Sequence, residues 1–115
     1  MGSHHNGSVD RLMRTILALR TEAECQAFFS DLCTMKELTD LSQRLEVALL
    51  LRAGRTYLQV EKATGASSAT ISRVKRSLDN GRGGYETVFS RMEAEDPEAT
   101  EVRDAAEEKK RGKGS

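Results

Sequence analysis

The sequence predicts an all-α domain of about six helices. Three observations lead there. Apolar residues recur every three or four positions along most of the chain, Ser/Thr-x-x-Glu/Gln arrangements mark successive helix starts, and no stretch longer than a few residues alternates as a half-buried strand does. In the first helix the stripe is Val9, Leu12, Met13, Ile16 and Leu19. Thr21 with Glu24 opens a second, carrying Cys25, Phe28, Phe29, Leu32 and Cys33. Thr34 with Glu37 opens the third and longest, Met35 to Arg52. Its stripe runs through Leu38, Leu41, Leu45, Ala48, Leu49 and Arg52, yet Val47, Leu50 and Leu51 are apolar outside it. A helix apolar most of the way round is surrounded by protein, and in so short a chain a second copy is the expected neighbour.

Gly54 ends that helix, and Thr56 with Gln59 starts a short fourth one holding Leu58, Val60 and Ala63. Gly65 makes a turn, Ser67 or Ser68 caps the fifth helix, and Ile71, Val74 and Leu78 line its inner side. "DNGRGG" then interrupts the chain before a last helix with Tyr85, Val88, Phe89 and Met92. Residues 1–8, "MGSHHNGS", read as an expression-tag remnant, 9–93 as the folded domain, and 94–115 as a charged, disordered tail.

Composition narrows the function. The 115 residues are 37% hydrophobic and 31% charged, which suits one small soluble domain. Basic and acidic residues balance at 18 each, so any nucleic-acid function rests on local charge. His4 and His5, the only histidines, lie in the tag, and no nucleophile has a base partner. Neither catalysis, a metal site nor a cofactor is expected. No apolar run reaches the ~20 residues of a membrane span, and no signal-peptide pattern is present, so the expected location is the cytoplasm. Cys25 and Cys33 stand eight apart on what reads as one helix, ~12 Å of rise, beyond the roughly 4.4–6.8 Å Cα separation of a disulfide. They read as small buried apolar residues. "GRGG" lacks the preceding strand and the Lys-Ser/Thr ending of a phosphate loop and reads as a linker. Arg44 and Glu46 read as exposed charges on a long helix, and Tyr85, Phe89 and Met92 as a core stripe.

The stretch "RTYLQVEKATGASSATISRVKRSL", Arg55 to Leu78, concentrates the chemistry. Short helix, glycine turn, second helix is the helix-turn-helix arrangement, here spanning about 56–78. With Val60, Ile71 and Val74 turned inward, Ser68, Ala69, Ser72, Arg73, Lys75 and Arg76 point elsewhere. Small residues early in the second helix let backbone approach base edges, a guanidinium can bridge guanine acceptors, and hydroxyls near a helix N-terminus suit phosphates. The DNA-contacting candidates are Thr56, Ser67, Ser68, Ala69, Thr70, Ser72, Arg73, Lys75 and Arg76. From Arg55 to Arg82 six basic residues face two acidic ones, net +4, while Glu93 to Ser115 carries −3.

The pieces "FFSDLCTMKEL", "LSQRLEVALLL" and "TGASSATISRVKRSL", followed by "GYETV", resemble in order and spacing the TrpR-related YerC/YecD family of the Trp repressor superfamily. The likeness spans roughly Val9 to Met92. It implies an intertwined helical homodimer binding double-stranded DNA, two recognition helices entering successive major grooves about one turn apart. It aligns Ser68, Ala69, Ser72 and Arg73 with DNA-meeting positions and Thr56 with the cap of the motif's first helix. Of the two arginines that flank tryptophan in the repressor, Arg73 matches one. Gln43 stands at the other, with Arg44 one step off register, and Val74 replaces a glycine beside the indole. Gln43, Arg44, Arg73 and Val74 thus outline an effector pocket unsuited to tryptophan, for a different small molecule or none. Leu58 and Glu61 replace basic DNA-contacting positions. The expected function is a dimeric, sequence-specific transcriptional regulator of the repressor kind. The alternative is a helical protein-interaction module that keeps the scaffold without specific DNA binding.

Overall fold

The computed structural model describes residues 7–102 and contains six α-helices, with no strand among those residues. They are α1 (Gly7–Leu17), α2 (Glu22–Leu32), α3 (Met35–Arg52), α4 (Tyr57–Thr64), α5 (Ser68–Asn80) and α6 (Gly84–Glu95). The chain divides into two units, one up to Thr39 and one from Asp40 onward. Gly7 and Ser8, inside the range read as a tag remnant, begin α1. Residues 1–6 and 103–115 lie outside the described residues.

In the first unit, neither α1 nor α2 contains a buried residue. Val9 and Met13, one turn apart on α1, are 47% and 48% exposed. The Thr34–Glu37 capping box forms in both directions, Glu37 N donating to Thr34 Oγ1 at 3.1 Å and Thr34 N to Glu37 Oε1 at 2.8 Å. At α2 the arrangement is skewed. Thr21 Oγ1 accepts from Glu24 N, but the Glu24 carboxylate reaches back one residue further, to Arg20 N at 2.8 Å. Cys33 is not part of the helix that carries Cys25. It is the extended C-cap of α2, and both thiols are free and half-buried rather than buried.

The second unit holds the core: Val47, Ala48, Leu50, Val60, Ala66, Ile71, Val74 and Phe89. Each large member removed from water stabilises the fold by roughly 1.5–3 kcal/mol. On α3 the buried residues are Val47, Ala48 and Leu50, while Leu41 and Leu45 stay 44% and 43% exposed. The side α3 turns to its own chain therefore overlaps the stripe read from periodicity at Ala48 and leaves Leu41 and Leu45 off it. Leu49 and Leu51 pack partly against the core. α3 ends in a Schellman motif: Arg55 N donates to Leu50 O and Gly54 N to Leu51 O, each at 3.0 Å, with Gly54 at φ +90°.

α6 departs from the expected core stripe. Only Phe89 is buried; Val88 and Met92 are 51% and 38% exposed, and Tyr85 stacks on Phe89 at 5.8 Å between ring centroids. Arg52, at the end of α3, sits over the Phe89 ring at 5.4 Å and bonds both Glu86 and Glu93 at 2.8 Å. The two carboxylates stand seven residues apart, two turns along one face of α6. The ordered chain also runs past the point where a disordered tail was expected. Ala94 and Glu95 complete α6, and residues 96–102 fold back through a turn in which Glu98 N donates to Asp96 Oδ1. Thr100 is buried and its hydroxyl donates to Glu93, and Val102 packs against the core. Thr100 and Val102 thus tie the segment to α6 and the core.

The Arg52 bridges give the fold an acid-sensitive joint. The guanidinium, with Ser90 helping at Glu86 and Thr100 at Glu93, holds both carboxyls at about 2, below their ordinary 4.5. A depressed folded-state pKa contributes stability that is complete above 4.5 and lost as pH falls through 2. Thermal melts followed by circular dichroism should therefore show Tm falling between pH 4.5 and 2, and falling less steeply in Arg52→Met.

Candidate nucleic-acid interface

Local chemistry explains how α4 and α5 form and meet. Thr56 Oγ1 accepts from Gln59 N at 3.2 Å while Gln59 Oε1 accepts from Thr56 N at 2.8 Å, closing the expected capping box. Gly65, at φ +72°, adopts the left-handed backbone that ends α4, its N–H donating to Glu61 O at 2.8 Å. Ser67, not Ser68, is the N-cap of α5, accepting from Thr70 N at 3.1 Å. The turn is thus Gly65, Ala66 and Ser67, and the Ala66 methyl is itself buried. Val60, Ile71 and Val74 are exposed by no more than 2%, as inward residues of the motif require.

At ~100° per residue, Ile71, Val74 and Leu78 share one side of α5 and Ala69, Ser72, Arg73 and Arg76 the opposite one. Those four, with Ser68, are exposed. Among the described residues neither Arg73 nor Arg76 has an ion-pair partner. Lys75 stands on the flank and pairs with Asp79 at 3.3 Å. Thr56, Ser67 and Thr70 hold caps: Ser67 Oγ also donates to Thr70 Oγ1 at 3.1 Å, and Thr70 is half-buried. The free face is narrower than the nine candidate residues, a short strip of small polar residues flanked by two guanidiniums.

Beside this strip lies an open hollow of about 480 Å³ lined by Leu41, Arg44, Leu45, Arg73, Val74, Ser77 and Tyr85. Three of the four residues expected to outline an effector pocket are here. Gln43 is the exception: its Nε2 donates to Thr64 O at 3.1 Å, and it is absent from the lining. An amide that finds a helix-end carbonyl satisfies it, so Gln43 belongs to the joint between α3 and α4 rather than to the hollow. Tyr85 and Ser77 line the hollow although neither stood out as a site residue. Tyr85 carries the aromatic signal that a core stripe also carries, and Ser77 carries none.

Residues 7–93 match the family described as Trp repressor protein. The chain belongs to that family. It is 49% identical over 92 residues to YerC of Bacillus subtilis (strain 168), an alignment covering 80% of this chain and 88% of that one. A crystal structure of a candidate Trp repressor from Staphylococcus aureus superposes with a TM-score of 0.73 at 48% identity, covering 76% of this chain and 88% of that one. A TrpR-like protein from Eubacterium eligens ATCC 27750 gives the same TM-score and identity over 79% of this chain and 94% of that one. The all-α Trp repressor-like fold and the kinship with YerC expected from "TGASSATISRVKRSL" are therefore established. No described helix is long and apolar enough to cross a membrane.

Proposed function

We propose that this Trp repressor family member is a sequence-specific DNA-binding transcriptional regulator, a repressor in kind, working in the cytoplasm as a homodimer. The observation that supports it best is the free side of α5, where Ser68, Ala69, Ser72, Arg73 and Arg76 are exposed opposite the buried Ile71 and Val74. A duplex major groove admits such a helix, small residues permit close approach, and the guanidiniums reach guanine acceptors or phosphates. Thr56, Ser67 and Thr70 serve this surface by shaping helix ends beside phosphates, and Lys75 contributes at its edge. Selection of bound duplexes from a random pool, followed by anisotropy titrations across a salt series, tests the proposal. A palindromic, salt-sensitive site supports it; no salt-sensitive binding to any duplex rejects it.

The dimer has separate support. α1 and α2 bury no residue within one chain, and α3 leaves Leu41 and Leu45 in water. Isolated helices of such length are marginal in water, so a second copy is the natural cover. Sedimentation should give about twice the 12.7 kDa chain mass; a well-folded monomer rejects the interlocked reading. As for effectors, we infer a ligand other than tryptophan or none, since Gln43 is turned away from the hollow and Val74 fills its inner wall.

A second reading rests on α4, where Tyr57 and Leu58 are 44% and 59% exposed and Glu61 adds an acid. That face suits a protein partner better than a phosphate backbone. Recovery of a single stoichiometric protein, undiminished by nuclease, would favour it.

A further inference from the structure

The amide of Gln43 reaches across 21 residues of sequence to the turn between the two helices of the motif. Its target, Thr64 O, is the last carbonyl of α4 and lacks an intrahelical donor. Thr64 is also the centre of the turn's local bonding. Its hydroxyl donates back to Val60 O at 2.8 Å and accepts from Ala66 N at 3.1 Å. One side chain of α3 therefore holds the residue around which the entry to α5 is built.

We propose that Gln43 is a positioning residue for the reading helix, setting the sequence selectivity of DNA binding rather than its overall strength. This rests on the DNA-binding reading above. Between Val60 and Ile71, the turn's apolar anchor is the Ala66 methyl, which is small. The stretch from Gly65 to Thr70 precedes the first large anchor of α5, and it holds the residues that approach base edges most closely. A phosphate contact tolerates a shift of this stretch because charge acts over several ångströms. A base-edge hydrogen bond does not, since it weakens steeply with distance and angle. Loosening the turn therefore costs discrimination before it costs attraction. The bond also explains why the residue expected beside an effector is not in the hollow: Gln43 is committed to the turn, and its neighbour Arg44 lines the hollow instead.

The test compares the wild type with Gln43→Met, which keeps length and loses the donor, and Gln43→Glu, which regains one when protonated. The ratio of affinity for the selected duplex to that for an unrelated duplex should fall about threefold to tenfold in Gln43→Met. Binding to the unrelated duplex at low salt should be unchanged. Gln43→Glu should match Gln43→Met at pH 7.5 and recover in part at pH 5, where a carboxyl of ordinary pKa is partly protonated, each measured against wild type at the same pH. Amide exchange at Gly65 and Ala66 should be faster in Gln43→Met than in wild type. An unchanged affinity ratio overturns the proposal, as does an equal loss toward both duplexes or unchanged exchange at the turn. If the wild type binds no duplex, the DNA-binding reading itself fails, and unaltered exchange rates then separately reject Gln43 as the holder of the turn.

Discussion

Arg73→Ala should weaken binding to the selected duplex by ~1–3 kcal/mol, about fivefold to 150-fold in Kd, if its guanidinium reads a base. Arg73 is exposed on the free side of α5 and no acid among the described residues neutralises it, so removing it leaves no described buried group without a partner. The loss should therefore appear in binding and not in Tm. Anisotropy against matched and mismatched duplexes separates two roles. A base contact costs affinity for the matched duplex and relaxes selectivity at one position. A phosphate contact weakens both duplexes alike and flattens the log–log salt dependence by ~1. Arg76→Ala, on the same side of α5, provides the comparison.

Phe89→Ala should be the most damaging single change to stability, costing ~3–5 kcal/mol in urea titrations. The ring is 1% exposed, stacks on Tyr85 and lies beneath the Arg52 guanidinium. Deleting it opens a cavity, removes the aromatic partner of a residue lining the hollow, and takes away the surface over which Arg52 spreads its two bridges. Set against the ~5–15 kcal/mol that keeps an ordinary domain folded, such a loss leaves little margin. Wild type and variant must be compared at equal protein concentration, because association adds to apparent stability. Phe89→Leu, which refills most of the volume, should recover much of the loss. An Ala variant within 1 kcal/mol of wild type would mean the ring is not a central packing element.

Local signals made the helices and the motif readable. Thr34–Glu37 and Thr56–Gln59 follow from short-range geometry, and the inward set Val60, Ile71 and Val74 follows from helical spacing around a glycine turn. Periodicity could not tell which apolar arc of α3 meets its own chain, since Leu41–Leu45 and Val47–Leu50 are equally apolar. Only the packed neighbours decide that. The Gln43–Thr64 bond was invisible for a different reason. A glutamine amide has no sequence partner, and its acceptor is a backbone carbonyl that every residue possesses. Arg52 falls on an apolar stripe by spacing alone, and its partners, Glu86 and Glu93, stand more than thirty positions away. At the chain's end, composition pointed to disorder from residue 94, yet two side chains anchor the segment to 102. Average polarity hides such anchors.

The last described residues also bear on where this protein can be shortened. The match to the family description ends at residue 93, which makes that position a tempting place to cut. A fragment cut there would lose the hydroxyl that Glu93 accepts from and the valine that shields the core beside α3. A trimmed version ending soon after Val102 keeps both, and is the safer starting point for crystals or spectra.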